Sequence, residues 1–228
     1  MRPRDGGTPG EAGPTSPRPS NIWRTGKSQR KKLQHLSQRI PARSVWLINW
    51  SAHGDQKQSE DCRKWAEVRV EALNRALSGI PKEQIRFHTC YSIDMGPRTN
   101  DMELKNIIDI ILKIRAHAYS FEGANPRHEH EWKVWGHVDL PRHKILIPGV
   151  ITHSTVLVEH PELVCDRILR YAGVVGRERV IAGADCGFGT FAGSMMIHPT
   201  IAWAKLDALV KGARLASAQL WGSGARAA

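Results

Sequence analysis

Short apolar runs alternate with amphipathic stretches along most of this chain, and that alternation limits the fold more than any other feature. Residues 61–78 repeat with a helical period, placing Trp65, Val68, Ala72, Ala76 and Leu77 on one face before a Gly79-Ile-Pro81 stop. A strand is predicted over 84–90, then a strongly apolar helix over 102–116 whose buried stripe is Leu104, Ile107, Ile108, Ile111 and Leu112. Strands over 117–122 and 144–151 follow. A helix over 160–175 opens with His160-Pro-Glu and turns Leu163, Ile168 and Leu169 inward. The last pair is a strand over 179–185 and a helix over 199–220, with proline in its first turn. Strands that alternate with helices and are apolar on both faces predict an α/β fold with a parallel sheet and right-handed crossovers. Ser44-Val-Trp-Leu-Ile-Asn-Trp50 reads as one further strand ahead of the first helix.

Four metal-capable side chains fall where predicted strands end: His88 and Cys90 in Arg86-Phe-His-Thr-Cys90, Glu122 in Ala118-Tyr-Ser-Phe-Glu122, and Cys186 in Ala182-Gly-Ala-Asp-Cys-Gly187. Residues i and i+2 of a strand share a face, so His88 and Cys90 project together. One imidazole, two thiolates and a carboxylate suit zinc better than calcium or magnesium, which take all-oxygen cages. Structural zinc knuckles pair cysteines two to four residues apart. Ligands scattered over many strand ends point instead to a catalytic metal held by a folded scaffold. The bland alternative is that these cysteines and the histidine are core residues of buried strands. Cys62 and Cys165 fall within predicted helices as inert thiols, and with no disulfide framework the expected setting is reducing and cytoplasmic.

The formal net charge is +11, which invites a nucleic-acid partner, but the charge is unevenly placed. Residues 1–44 carry ten Lys/Arg against two Asp/Glu, whereas residues 45–228 carry 23 against 20. The basicity belongs to a Pro- and Gly-rich tail, read as disordered, and not to a binding face of the remainder. Within it, residues 27–39 fit a solvated basic helix, a nuclear or nucleic-acid patch, or part of a mitochondrial presequence. No nucleic-acid partner is expected, and no run approaches the roughly 20 apolar residues of a membrane helix.

From about Glu60 onward the chain resembles the C-terminal catalytic domain of cobalamin-independent methionine synthase, in particular the short single-domain methionine synthase II-like proteins. It is also similar to epoxyalkane:coenzyme M transferase. The resemblance is carried by residues 65–80, the His88-x-Cys90 pair, Ser120-Phe-Glu-Gly-Ala-Asn-Pro-Arg-His-Glu-His-Glu-Trp132, Ile147-Pro-Gly-Val150, Glu159-His-Pro-Glu162, Gly183-Ala-Asp-Cys-Gly-Phe-Gly189 and Ala202-Trp-Ala-Lys205. It implies the C-terminal portion of a (β/α)8 barrel over residues 45–228, with His88, Cys90, Glu122 and Cys186 at the zinc-ligand positions. The implied reaction is methyl or alkyl transfer to a thiol: homocysteine with a methylfolate donor in methionine biosynthesis, or another pair as in the coenzyme M enzyme. His153 lies one position from a histidine that in the family protonates the leaving group, and is read either in that role or as a polar loop residue.

The family's first strands have no counterpart before residue 61. The expectation is therefore an incomplete barrel that loses part of the substrate pocket, holds its metal loosely and self-associates to cover its open edge. The competing function class is an inactive barrel fragment or an interaction protein. Among the remaining motifs, Asp185 either orients a group beside the ligands or stabilises its own loop. His128-Glu-His130 reads as a lid or structural loop in preference to an alternative metal site, and Gly187-Phe-Gly189 as a tight turn beside Cys186 in preference to an anion seat.

Overall fold

The computed structural model of this chain describes residues 47–49, 56–91, 101–189 and 197–222, with side chains from residue 60 onward. The basic tail expected over residues 1–44 lies outside the described residues. Five strands carry the sheet: β1 (Leu47–Asn49), β2 (Arg86–Cys90), β3 (Ala118–Phe121), β4 (Ile145–Ile151) and β5 (Gly183–Ala184). They lie side by side in chain order and every pair is parallel. A doubly wound sheet needs a point where strand order reverses. Strictly sequential order has none and is the order of successive strands in a (β/α)8 barrel wall. Within the run read from residues 44–50, Leu47–Asn49 forms a strand that pairs Leu47 with His88 and Asn49 with Cys90.

Among the described residues four α-helices connect or follow these strands: α1 (Gln56–Ala76), α2 (Ile108–Leu112), α3 (Pro161–Val175) and α4 (Pro199–Trp221). α1 buries Ala66, Val70 and Leu73, a stripe rotated from the predicted one, and Leu77 is buried just past its end. Trp65 and Val68, expected inside, are 46% and 66% exposed. Both stripes keep helical spacing, and the arginine at 69 resolves the ambiguity by laying its guanidinium over the Trp65 ring, which shields that face in place of a core.

The helix predicted over 102–116 is mostly not α-helical. It opens with a 3-10 turn at Leu104–Asn106, and α2 itself is a short segment. Isoleucines at 107, 108, 110, 111 and 114 are all buried. Branching at Cβ lowers helix propensity, and the Glu131 carboxylate takes the Leu104 N–H at 2.6 Å, fixing the segment from outside. Together with Ile85, Phe87, Tyr119, Phe121 and Leu146 these isoleucines make the larger of two core clusters. Each such side chain contributes roughly 1.5–3 kcal/mol by leaving water.

α3 and α4 begin alike. His160 and His198 each place Nδ1 3.3 Å from the backbone N–H two residues on, and each is followed by a proline that fits the first turn. α3 turns Val164, Cys165, Ile168, Tyr171 and Ala172 inward, while Leu163, expected there, is 37% exposed. The two helices cross tightly at Gly212, where a Cβ would sit 2.4 Å from Val164. With Val150, Ile151 and Ala216 they form the second cluster. The strand predicted over 179–185 shrinks to β5 because its pairing with β4 is irregular between Gly149 and Ile151. Among the described residues no helix is long and apolar enough to cross a membrane.

Candidate metal centre

Parallel strands in sequential order bring all their C-terminal ends to one rim, where barrel enzymes place their chemistry. His88 lies in β2 and Cys90 ends it; Glu122 follows β3, His153 follows β4, and Asp185 and Cys186 follow β5. Three of the four expected ligands meet there. The donor atoms of His88, Cys90 and Cys186 all lie within 4.8 Å of one another. The two sulfurs are 3.8 Å apart and are not joined in a disulfide. Sulfurs that share one tetrahedral ion at about 2.3 Å stand about 3.8 Å apart, so this separation is compatible with a shared metal as well as with the thiol–thiol hydrogen bond between them.

The imidazole is held from one side. The β2–β3 register puts His88 directly opposite Ser120, whose Oγ is 3.1 Å from His88 Nδ1. His88 Nε2 is buried with no hydrogen-bond partner among the described residues. A buried nitrogen left without a partner costs free energy unless something takes it up. A histidine held through one ring nitrogen and open at the other is how proteins present imidazole to a metal. The Cys186 thiol is drawn down to about 4, chiefly by Cys90 and then by the His88 imidazole and the Gly187 N–H, against the partial burial that raises it. A thiol poised as thiolate is the form that binds metal.

Glu122 stands beside this cluster and is not part of it. Its carboxylate is buried, with Oε1 accepting from the Tyr91 N–H at 2.9 Å and Oε2 from Asn125 Nδ2 at 2.8 Å. Tyr91 directly follows Cys90, so the carboxylate is tied to the chain next to a thiol of the cluster.

Asp185, read from the sequence as either an orienting group or a loop anchor, is completely buried. Its Oδ1 accepts from the N–H groups of Gly123 and Ala124 at 2.8 Å each, and its Oδ2 lies 3.3 Å from Asn125 Nδ2. Burial raises its pKa; these hydrogen bonds and the nearby His153 imidazole oppose the rise. The close approach needs a glycine on β4, since a Cβ at Gly149 would stand 1.9 Å from Asp185 Oδ1. His153 is buried two residues beyond β4. The loop that carries it is fixed by Glu159, which accepts from the Thr152 N–H at 2.8 Å and pairs with the fully buried Lys205 at 2.9 Å.

His128-Glu-His130 does structural work. His128 is sandwiched between Glu131 at 2.8 Å and Asp101 at 3.3 Å, and its ring stacks on Tyr91 with centroids 3.7 Å apart. Its neighbour Glu129 grips Arg167 of α3 through two bonds of 3.0 Å. Ser120 and Asn125 are the members of this site that sequence reasoning passed over. Ser120 becomes visible only once the strand register is known, while Asn125 carries the weak signal of an amide three residues after a strand-end carboxylate.

No family profile matches the chain, and no curated protein matches it in sequence. Among solved structures it is similar to a B12-independent methionine synthase from Shewanella sp. W3-18-1, determined in complex with selenomethionine. The TM-score is 0.56 and the identity 16%, over 83% of this chain and 67% of that one. At that identity the likeness establishes a shared barrel-type fold.

Proposed function

We propose that this chain is a zinc-dependent transferase that moves a methyl or other alkyl group onto a small thiol. The observation that carries the reading is the convergence of His88, Cys90 and Cys186 at the strand-end rim, their donor atoms within 4.8 Å of one another and His88 Nε2 buried. These three would hold the metal, with Glu122 as the fourth protein donor. Bound there, zinc would lower a thiol's pKa and present it as a thiolate near neutral pH.

The chain's own residues supply the rest. Ser120 fixes the orientation of the His88 ring. Cys90 and Cys186, as thiolates, place negative charge beside the substrate sulfur and keep it nucleophilic. As the sulfur–carbon bond forms, the bond from that carbon to its donor breaks, and the leaving atom takes a proton. His153 is another buried imidazole, two residues beyond β4, and is assigned that proton. The resemblance to methionine synthases, and the similar structure that holds selenomethionine, favour homocysteine as the thiol, a methylfolate as the donor and methionine formation as the setting.

The test is metal content and turnover of purified protein. About one zinc per chain is expected, with S-methylation of homocysteine or a short analogue lost on chelation and restored by zinc. Protein that takes up no zinc from zinc-replete medium, or that turns over equally well after chelation, would end the reading.

A further inference from the structure

A continuous set of hydrogen bonds runs around the rim from one cysteine of the cluster to the other. Tyr91, the residue after Cys90, donates its N–H to Glu122 Oε1 at 2.9 Å. Asn125 Nδ2 then donates both to Glu122 Oε2 at 2.8 Å and to Asp185 Oδ2 at 3.3 Å. Asp185 is the residue before Cys186. The ends of β2, β3 and β5 are separated by roughly 30 to 60 residues of chain, yet are joined at this rim, where one amide bridges the two carboxylates.

We infer that Asn125, together with Asp185, is the positioning element that sets the distance between Cys90 and Cys186 and holds Glu122 beside them. The inference rests on the metal-centre reading and deepens it. Three features favour positioning over general loop stability. The amide is oriented from behind, because Asn125 Oδ1 accepts the Arg127 N–H at 3.0 Å, which turns both hydrogens of Nδ2 toward the carboxylates. Asp185 is itself clamped by the N–H groups of Gly123 and Ala124, so the Cys186 backbone is tied to the strand end that carries Glu122. Finally, Asp185 N–H donates to Ile151 O at 2.9 Å, and Gly149 leaves no room for the carboxylate to retreat. β5 is the shortest partner in the sheet and is irregularly paired, so its own ladder does little to place Cys186.

The experiment compares the parent with Asn125→Ala, Asp185→Asn and Cys186→Ser. Three quantities are read at one pH: zinc affinity by competition with a chromophoric chelator, the visible spectrum of the cobalt(II) derivative, and the melting temperature of the metal-free protein. Asp185→Asn keeps an acceptor for Gly123 and Ala124 but turns an amide donor toward Asn125. Both bridge variants are expected to bind zinc about 10- to 100-fold more weakly and to shift the cobalt ligand-field bands, at temperatures where the metal-free protein is fully folded. Parent affinity and a parent cobalt spectrum in both variants would overturn the inference, as would an affinity loss accounted for by the unfolded fraction alone. Should Asn125→Ala fail to fold, Asn125→Asp keeps the volume and sets a third carboxylate between two others, and the same weakening is expected. Cys186→Ser separates the two readings. If it loses zinc while the bridge variants do not, only the positioning role fails; if it keeps zinc at parent affinity, the metal centre itself falls.

Discussion

Replacing Lys205 by methionine should be among the most damaging single changes in this chain. The Lys205 side chain is 0% exposed, and its ammonium has Glu159 Oε2 at 2.9 Å and the Leu157 carbonyl as partners. Methionine fills a similar volume but leaves Glu159 buried with only the Thr152 N–H as its described donor. Breaking a buried pair by removing one partner costs about 3–5 kcal/mol, because the surviving charge is uncompensated. Against a typical total of about 5–15 kcal/mol this is a large fraction. Glu159→Leu alone should cost a similar amount, since it strands the ammonium instead. The double variant should lose only about 1–3 kcal/mol, mostly from the orphaned Thr152 N–H, because a hydrophobic pair substitutes well for a buried ion pair. Urea denaturation of the four proteins gives the cycle directly. A coupling energy of several kcal/mol is expected, and single variants that lose under about 1 kcal/mol, or losses that simply add, would refute the argument.

Gly149→Ala should destabilise the protein by about 1–3 kcal/mol or more, as overpacking does, because the new Cβ meets Asp185 atoms, backbone included, at 2.7 Å or less; thermal melts check it. Saturating zinc should raise the melting temperature, with about 4 kcal/mol of stabilisation at a thousandfold excess over the dissociation constant, and Cys186→Ser should abolish the gain. In metal-free protein the ultraviolet thiolate band should persist down to about pH 5 and vanish in Cys186→Ser, since this thiol is held near 4. Its folded pKa lies below the ordinary thiol value, so its contribution to stability is complete above that value and is lost as pH falls toward 4; denaturation curves between pH 5 and 9 should show stability rising with pH.

The alternation of strands and helices was legible because buried parallel strands and amphipathic helices carry different periods. Where two stripes of one helix were both apolar, as on α1, periodicity could not choose between Trp65 and Ala66; the choice was made by the Arg69 side chain and by what lies beneath. The isoleucine-rich segment before β3 looked helical by spacing, yet its branched side chains and the Glu131 contact, 27 residues away, cut the helix to α2. At the rim, the strand-end positions of His88, Cys90, Glu122 and Cys186 could be read from residue types alone. Their distances could not, because they depend on register and on the Asn125 bridge. His128 illustrates the same limit: Glu131 is three residues away, but Asp101 comes from a distant segment, and only the fold shows that both are engaged.

X-ray absorption at the zinc edge of reconstituted protein tests the metal centre most directly. One imidazole nitrogen at about 2.0–2.1 Å and two sulfurs at about 2.3 Å are expected, with one sulfur lost in Cys186→Ser. A first shell of oxygen and nitrogen alone, unchanged in that variant, would contradict the account.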